Sequence, residues 1–203
     1  MGAALAFSML RFAPVAVLLA GVAVTGAQRG ADDNAFPHTK PNGRATVEYK
    51  DEKVQAVAIY DYSQRNHDGA WLLVQIGVAL SERGAVKRDS FTVVMPGGRV
   101  VPLATQEQFL ADSQQITKLR QNARIFQREV IGFFPKSADG EFIRWFALPG
   151  EGTVRDPAII PSEHGVVIGD LYFKSPTLRW DDGTYRLVFD NENGHAELPI
   201  RLE

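Results

Sequence analysis

The sequence predicts a mainly β protein, two packed antiparallel sheets with one inserted helix, and three patterns carry that prediction. Between Trp71 and Leu80 the side chains of Leu72, Val74, Ile76, Val78 and Leu80 recur at period two and fall on one face. Roughly ten runs of this kind follow one another between Ala45 and Leu202, more strands than one open layer of a small domain holds, so two layers must pack. Helical spacing occurs in a single stretch, about 105–127, where Phe109, Ile116, Leu119, Ala123 and Phe126 line one face.

Taken in chain order, residues 1–27 read as a signal peptide. The uncharged run Phe12 to Val24 follows Arg11 and leads into the small residues Thr25, Gly26 and Ala27. An apolar run this short falls below the ~20 residues of a bilayer-spanning helix. The expectation is therefore export to the periplasm or the extracellular space, with no permanent membrane span after cleavage; a retained anchor is the other reading. Residues 28–44, rich in Gly, Asp and Pro, are expected to be a flexible leader. Residues 45–203 are then one domain.

Within that domain, Ala45 to Tyr49 is the first expected strand. Val54 to Tyr62 carries apolar side chains on both faces, as in a strand near the middle of a sheet. The Gln75, Gly77 and Ala79 face of the next strand is expected to be thinly covered. Phe91 to Met95 and Arg99 to Leu103 flank Pro96-Gly97-Gly98, a hairpin signal. Thr105 with Gln108 opens the helix as a capping box, and Asp112 and Ser113 mark a point where it can break in two. Further strands are expected over Glu129 to Phe134, Phe142 to Leu148, Val166 to Phe173, Tyr185 to Asp190 and His195 to Leu202.

The stretch Asp181-Asp182-Gly183-Thr184-Tyr185-Arg186-Leu187 resembles the D-x-G-x-Y-x-C segment that begins strand F of immunoglobulin-like domains. The resemblance implies an immunoglobulin-like β-sandwich in which Asp181, Gly183 and Tyr185 form a tyrosine corner, the phenol bonding back to upstream backbone. Leu187 stands where antibody domains place a disulfide cysteine. The sandwich implied is cysteine-free, with no immune-recognition role attached.

Composition narrows the chemistry. With no cysteine, thiolate nucleophiles, zinc–thiolate sites, blue-copper centres and disulfides are excluded, and an exported chain without disulfides fits a bacterial envelope. The balance of 22 Lys+Arg against 24 Asp+Glu leaves a net charge of -2, so no global field favours nucleic acid or an anionic membrane. Arg120, Arg124 and Arg128, spaced four apart, could grip phosphates, but they read first as a solvated edge that complements a helix C-terminus. His38, His67, His164 and His195 form no H-x-H or H-E-x-x-H pair, and His38 and His67 read as exposed turn residues. No metal and no cofactor is expected: Pro96-Gly97-Gly98-Arg99 lacks the spacing and lysine of a phosphate loop. No G-x-S-x-G or S-x-x-K occurs, and adjacent Ser162, Glu163 and His164 rarely converge on one atom. Asp190, Asn191, Glu192 and Asn193 offer oxygen donors, although Asn-Gly is first a turn signal.

Between Phe134 and Val166 the chain is punctuated by Pro and Gly around Phe142-Ile143-Arg144-Trp145-Phe146. Long loops in compact domains concentrate function, and Arg and Trp are interface-anchor types. Arg144, Trp145 and Phe146 are therefore the expected binding residues of a non-catalytic, exported module that recognises an envelope or extracellular protein, or a glycan. The alternative is a hydrolase of envelope polysaccharide or another polymer, with Asp156, Glu163 and Asp170 as candidate paired carboxylates.

Overall fold

A computed structural model describes residues 35–67, 69–152, 154 and 158–203. The expected signal peptide and residues 28–34 of the expected leader, with Asp68 and Asp156, lie outside the described residues.

Strands β1 (Thr39–Pro41), β2 (Thr46–Lys50), β3 (Val54–Ile59), β4 (Trp71–Leu80), β8 (Asp139–Phe142) and β10 (Gly165–Lys174) form a six-stranded sheet in the order β1-β2-β3-β4-β10-β8. A second sheet runs β12-β11-β6-β7, from β6 (Phe91–Val94), β7 (Val100–Pro102), β11 (Gly183–Asn191) and β12 (Gly194–Leu202). The short pair β5 (Val86–Lys87) and β9 (Ala158–Ile159) stands apart. The alternating face Leu72, Val74, Ile76 and Val78 of β4 meets Val93, Leu187, Phe189, Leu198 and Ile200 of the second sheet in one buried core. Burial of this alternating face, at ~25 cal/mol per Å² of apolar surface, is the main force holding the layers together.

The sheets depart from the sequence-based expectations in several places. Not every strand pair is antiparallel: β8 runs parallel to β10, with Phe142 opposite Ile168. A parallel neighbour needs a long return connection, and the residues from Ile143 to His164, which include β9, supply it. Thr39–Pro41, placed in the leader by composition, is the edge strand beside β2. The Glu129 to Phe134 run is a 3-10 turn over Val130–Phe133 instead of a strand.

That turn explains the cover over the outer face of the six-stranded sheet, which is thicker than expected. Val130 and Phe134 pack with Val57, Ile59, Val166 and Ile168 in a second buried cluster. Gly77 lets them approach, since a Cβ there would lie 2.6 Å from Val130 Cγ1 and 2.8 Å from Phe134 Cε2. A one-turn helix, α1 (Asp61–Arg65), follows β3. The rest of the cover is the expected helix, broken at Asp112 into α2 (Gln106–Ala111) and α3 (Ser113–Ala123). Thr105 caps α2 through the Gln108 N–H, while the Gln108 side chain accepts from the Thr105 N–H. Asp112 interrupts the apolar stripe because its carboxylate turns inward, accepting from Trp71 Nε1 at 3.0 Å and pairing with Lys174 Nζ at 2.8 Å. The Lys174 contact, set against burial and helped by Trp71, holds the Asp112 carboxyl below the usual range.

Near the tail, the chain crosses from β10 in one sheet to β11 in the other. Tyr185, 1% exposed, donates its hydroxyl to the Asp181 carbonyl at 2.8 Å, and Gly183 adopts φ 151°, a region L side chains rarely enter. The carboxylate of Asp181 faces solvent beside Arg179. His67, expected in an exposed turn, is instead largely covered: Nε2 lies 2.7 Å from Asp182 Oδ1, and its carbonyl accepts from the Trp180 N–H. The Asn191 side chain accepts from the Asn193 N–H, the turn chemistry expected of that loop.

Candidate binding cleft

The two parts of the cover, α2–α3 on one side and the 3-10 turn on the other, leave a gap over β4 and β10. This cleft holds about 540 Å³, inside the ~300–1,000 Å³ typical of small-ligand sites. Its floor comes from register. β4 and β10 pair so that Gln75 stands directly opposite Asp170, and alternation turns both side chains to the outer face with Tyr172. α3 brings Arg120, and the segments after it bring Arg128, Glu129 and the chain from Phe142 to Phe146.

Asp170 is set apart by its surroundings. Burial pushes its carboxyl above the usual carboxylate range, and the nearby Arg120 guanidinium only partly offsets the effect. It receives no hydrogen bond from the described residues. Tyr172 is raised in the same way by burial and by Asp170, and the nearby Arg120 only partly offsets the rise. The remaining cations are matched: Arg128 Nε lies 2.7 Å from Asp61 Oδ2 and Arg144 Nη1 lies 3.5 Å from Glu151 Oε2.

Of the three residues expected at a binding surface, all line this cleft, but only Arg144 presents its side chain to solvent. Trp145 is 1% exposed and is no surface anchor. Its ring packs against Phe91 at 5.3 Å between centroids, over Gly169, where a Cβ would lie 2.6 Å from Trp145 Cζ3. Its Nε1 is buried without a hydrogen-bond partner among the described residues. Phe146 goes to the other side of the sheet edge, stacked on Phe109 at 4.7 Å and edge-on to Tyr172 at 5.2 Å. The strand expected over Phe142 to Leu148 lies instead over Asp139–Phe142. Ile143 still bonds the Ile168 carbonyl, and the chain then leaves the sheet to seat the two rings.

Two side-chain clamps hold that departure in place. Arg88 Nη1 donates to the Trp145 carbonyl at 2.6 Å and Nη2 to the Ala104 carbonyl, with the guanidinium 4.4 Å from the Phe146 ring centroid. Gln106 bonds both backbone groups of Ala147, donating Nε2 to its carbonyl at 2.7 Å and accepting from its N–H at 3.0 Å. The wall of the cleft is thus built on fixed backbone, the condition for a preorganised site.

No known family model, characterised protein or solved structure matches the chain. The site must be read from its own geometry.

Geometry separates the candidate carboxylates. Glu163 lies in the exposed turn before Gly165, and the strand from Gly165 to Asp170 alone spans about 16 Å, whereas paired acids work about 5 to 9.5 Å apart. Ser162, Glu163 and His164 are all exposed and do not converge; the Ser162 N–H is taken by Glu141 at 2.7 Å. In the arginine series, only Arg120 and Arg128 reach the cleft, and Arg124 is exposed outside it. Among the described residues no group of three or more His, Asp or Glu could hold a metal ion, and no helix is long and apolar enough to cross a membrane. Sequence reasoning missed Gln75 as a site residue. Its only local signal is a polar side chain within the most apolar strand of the protein.

Proposed function

We propose that this chain is an exported binding module of the cell envelope, built on an immunoglobulin-like sandwich, which holds its partner in the cleft over the six-stranded sheet without chemically changing it. The observation that carries the reading is the cleft floor, where Gln75 and Asp170 meet opposite each other without hydrogen bonds from the described residues. Both side chains are partly exposed to the cleft, so their donors and acceptors are open to a ligand that displaces water there. The immunoglobulin-like element rests on the Tyr185–Asp181 bond beside the crossover and on the terminal β11–β12 hairpin. Export rests on the run Phe12 to Val24. Nucleic acid is disfavoured as partner because the cleft cations are already matched by carboxylates. Immobilised wild type should capture an envelope component that both Arg144→Ala and Gln75→Ala lose while keeping the wild-type melting temperature. Equal capture by all three proteins would refute the assignment of the cleft.

A hydrolase is the second reading, favoured by one observation: Asp170 has the burial-raised carboxyl of a general acid, and Glu129 is the other carboxylate lining the cleft. Release of reducing ends from envelope polysaccharide by the wild type, abolished in Asp170→Asn, would decide for it; no release by the wild type would decide against.

A further inference from the structure

The cleft has a chemical character that narrows its ligand, and the inference rests on the binding-module reading above. Charge is the first discriminator. Arg128 and Arg144 have Asp61 and Glu151 as partners, and Arg120 sits close enough to act on both Asp170 and Tyr172. A phosphate or polyanion entering here would have to break an existing ion pair and would meet the Asp170 carboxyl. A cation would meet the Arg120 guanidinium beside Asp170, and the carboxylates of Asp61 and Glu151 are already taken by Arg128 and Arg144, which leaves Glu129 as the one other carboxylate of the lining. Neither sign of charge is complemented, so a neutral ligand fits best.

Hydrogen-bonding capacity is the second discriminator. Gln75 offers an amide with two donors and one acceptor oxygen, Asp170 offers acceptors and, when protonated, a donor, and Arg120 a planar fork of donors. Donors and acceptors of this mixed kind, on flat side chains placed side by side, complement neighbouring hydroxyl groups, each of which both donates and accepts. Apolar surface is the third. Phe142 stands 80% exposed on the edge strand at the mouth of the cleft, and the Phe146 and Tyr172 rings form part of its wall. The ligand must therefore carry an apolar face as well as a row of hydroxyls.

We propose that the cleft binds a neutral saccharide unit, its hydroxyl edge on Gln75, Asp170 and Arg120 and its C–H face against Phe142. Calorimetric titration of the full chain with neutral hexose and N-acetylhexosamine oligosaccharides, with uronate-containing oligosaccharides of equal length and with inorganic phosphate, tests it. A neutral oligosaccharide should bind at least about tenfold more tightly than its acidic counterpart. Phe142→Ala and Asp170→Ala should each weaken it by about tenfold or more. Phe142 is exposed and Asp170 lacks bonds to lose, so neither variant should melt below the wild type. The saccharide assignment is overturned by acidic oligosaccharide or phosphate binding more tightly, by saccharide affinity unchanged in both variants, or by no saccharide binding at all. In that last case, cleft-dependent capture of an envelope component, lost in Gln75→Ala, would leave the binding-module reading standing; absence of such capture would remove both.

Discussion

Replacing Tyr185 by Phe isolates one hydrogen bond. The ring is 1% exposed and lies 5.3 Å from Trp180, so Phe keeps its packing and loses only the 2.8 Å bond to the Asp181 carbonyl. A neutral bond of this kind contributes about 0.5–1.5 kcal/mol, and a carbonyl left partly buried without a donor adds to the loss. Asp181 itself is exposed, so water reaches part of that carbonyl, and the expected destabilisation is about 1–2 kcal/mol. In a chain of this size that lowers the melting temperature by about 2–8 °C. Calorimetry and urea titration of the two proteins should agree on the value. Asp181→Ala is the matching control, because the acceptor is backbone. It removes only the exposed pair with Arg179 and should cost under about 1 kcal/mol. A Tyr185→Phe protein that melts with the wild type, or an Asp181→Ala protein that loses more than Tyr185→Phe, would show that the corner does not pin the crossover between sheets.

Three further outcomes follow from the same contacts. Gly169→Ala should lose about 1–3 kcal/mol, because the new methyl group meets Trp145 Cζ3 and, at 3.0 Å, the Ile143 carbonyl; an unchanged melt and unchanged tryptophan emission would contradict the packing of that ring. Asp112→Ala should destabilise by about 1–3 kcal/mol at neutral pH, leaving Lys174 and Trp71 Nε1 without their acceptor. Since the Asp112 carboxyl is lowered in the folded protein, its contribution is present above the ordinary carboxylate pKa and is lost as pH falls through the lowered one, so the two proteins should converge in acid. Asp170 has the opposite sign. A carboxyl raised on folding is favoured while protonated and loses stability as pH rises from the ordinary carboxylate pKa through the raised one. Asp170→Asn should therefore melt above the wild type at pH 7.5 and with it below about pH 3.5, under the ordinary aspartate pKa; lower stability at both would refute the uncompensated carboxylate.

Local features were legible in the sequence where a short stretch supplies both partners of an interaction. The capping box of Thr105 and Gln108, the break at Asp112 and the Tyr185–Asp181 bond each close within a few residues. The β4 alternation is equally local, because period two needs no knowledge of the neighbour. The run Glu129 to Phe134 fits a strand by sequence, but apolar residues over so short a length suit either state. Packing of Val130 and Phe134 over Gly77 selected the 3-10 turn. Arg144, Trp145 and Phe146 were legible as a group, but not the division of labour among them, which depends on the sheet edge that receives Trp145.

By itself, the sequence determined the two-layer β class, the position and interruption of the helix, and the phenol contact beside the crossover, because backbone periodicity and short-range capping are written in neighbouring residues. Only the tertiary structure decided the cleft. Gln75 and Asp170 face each other because β4 and β10 pair in one register, and register is settled by which faces can be buried across the whole sheet. Arg88 and Gln106 reach the Trp145–Ala147 backbone from other parts of the chain, and no local pattern announces such contacts.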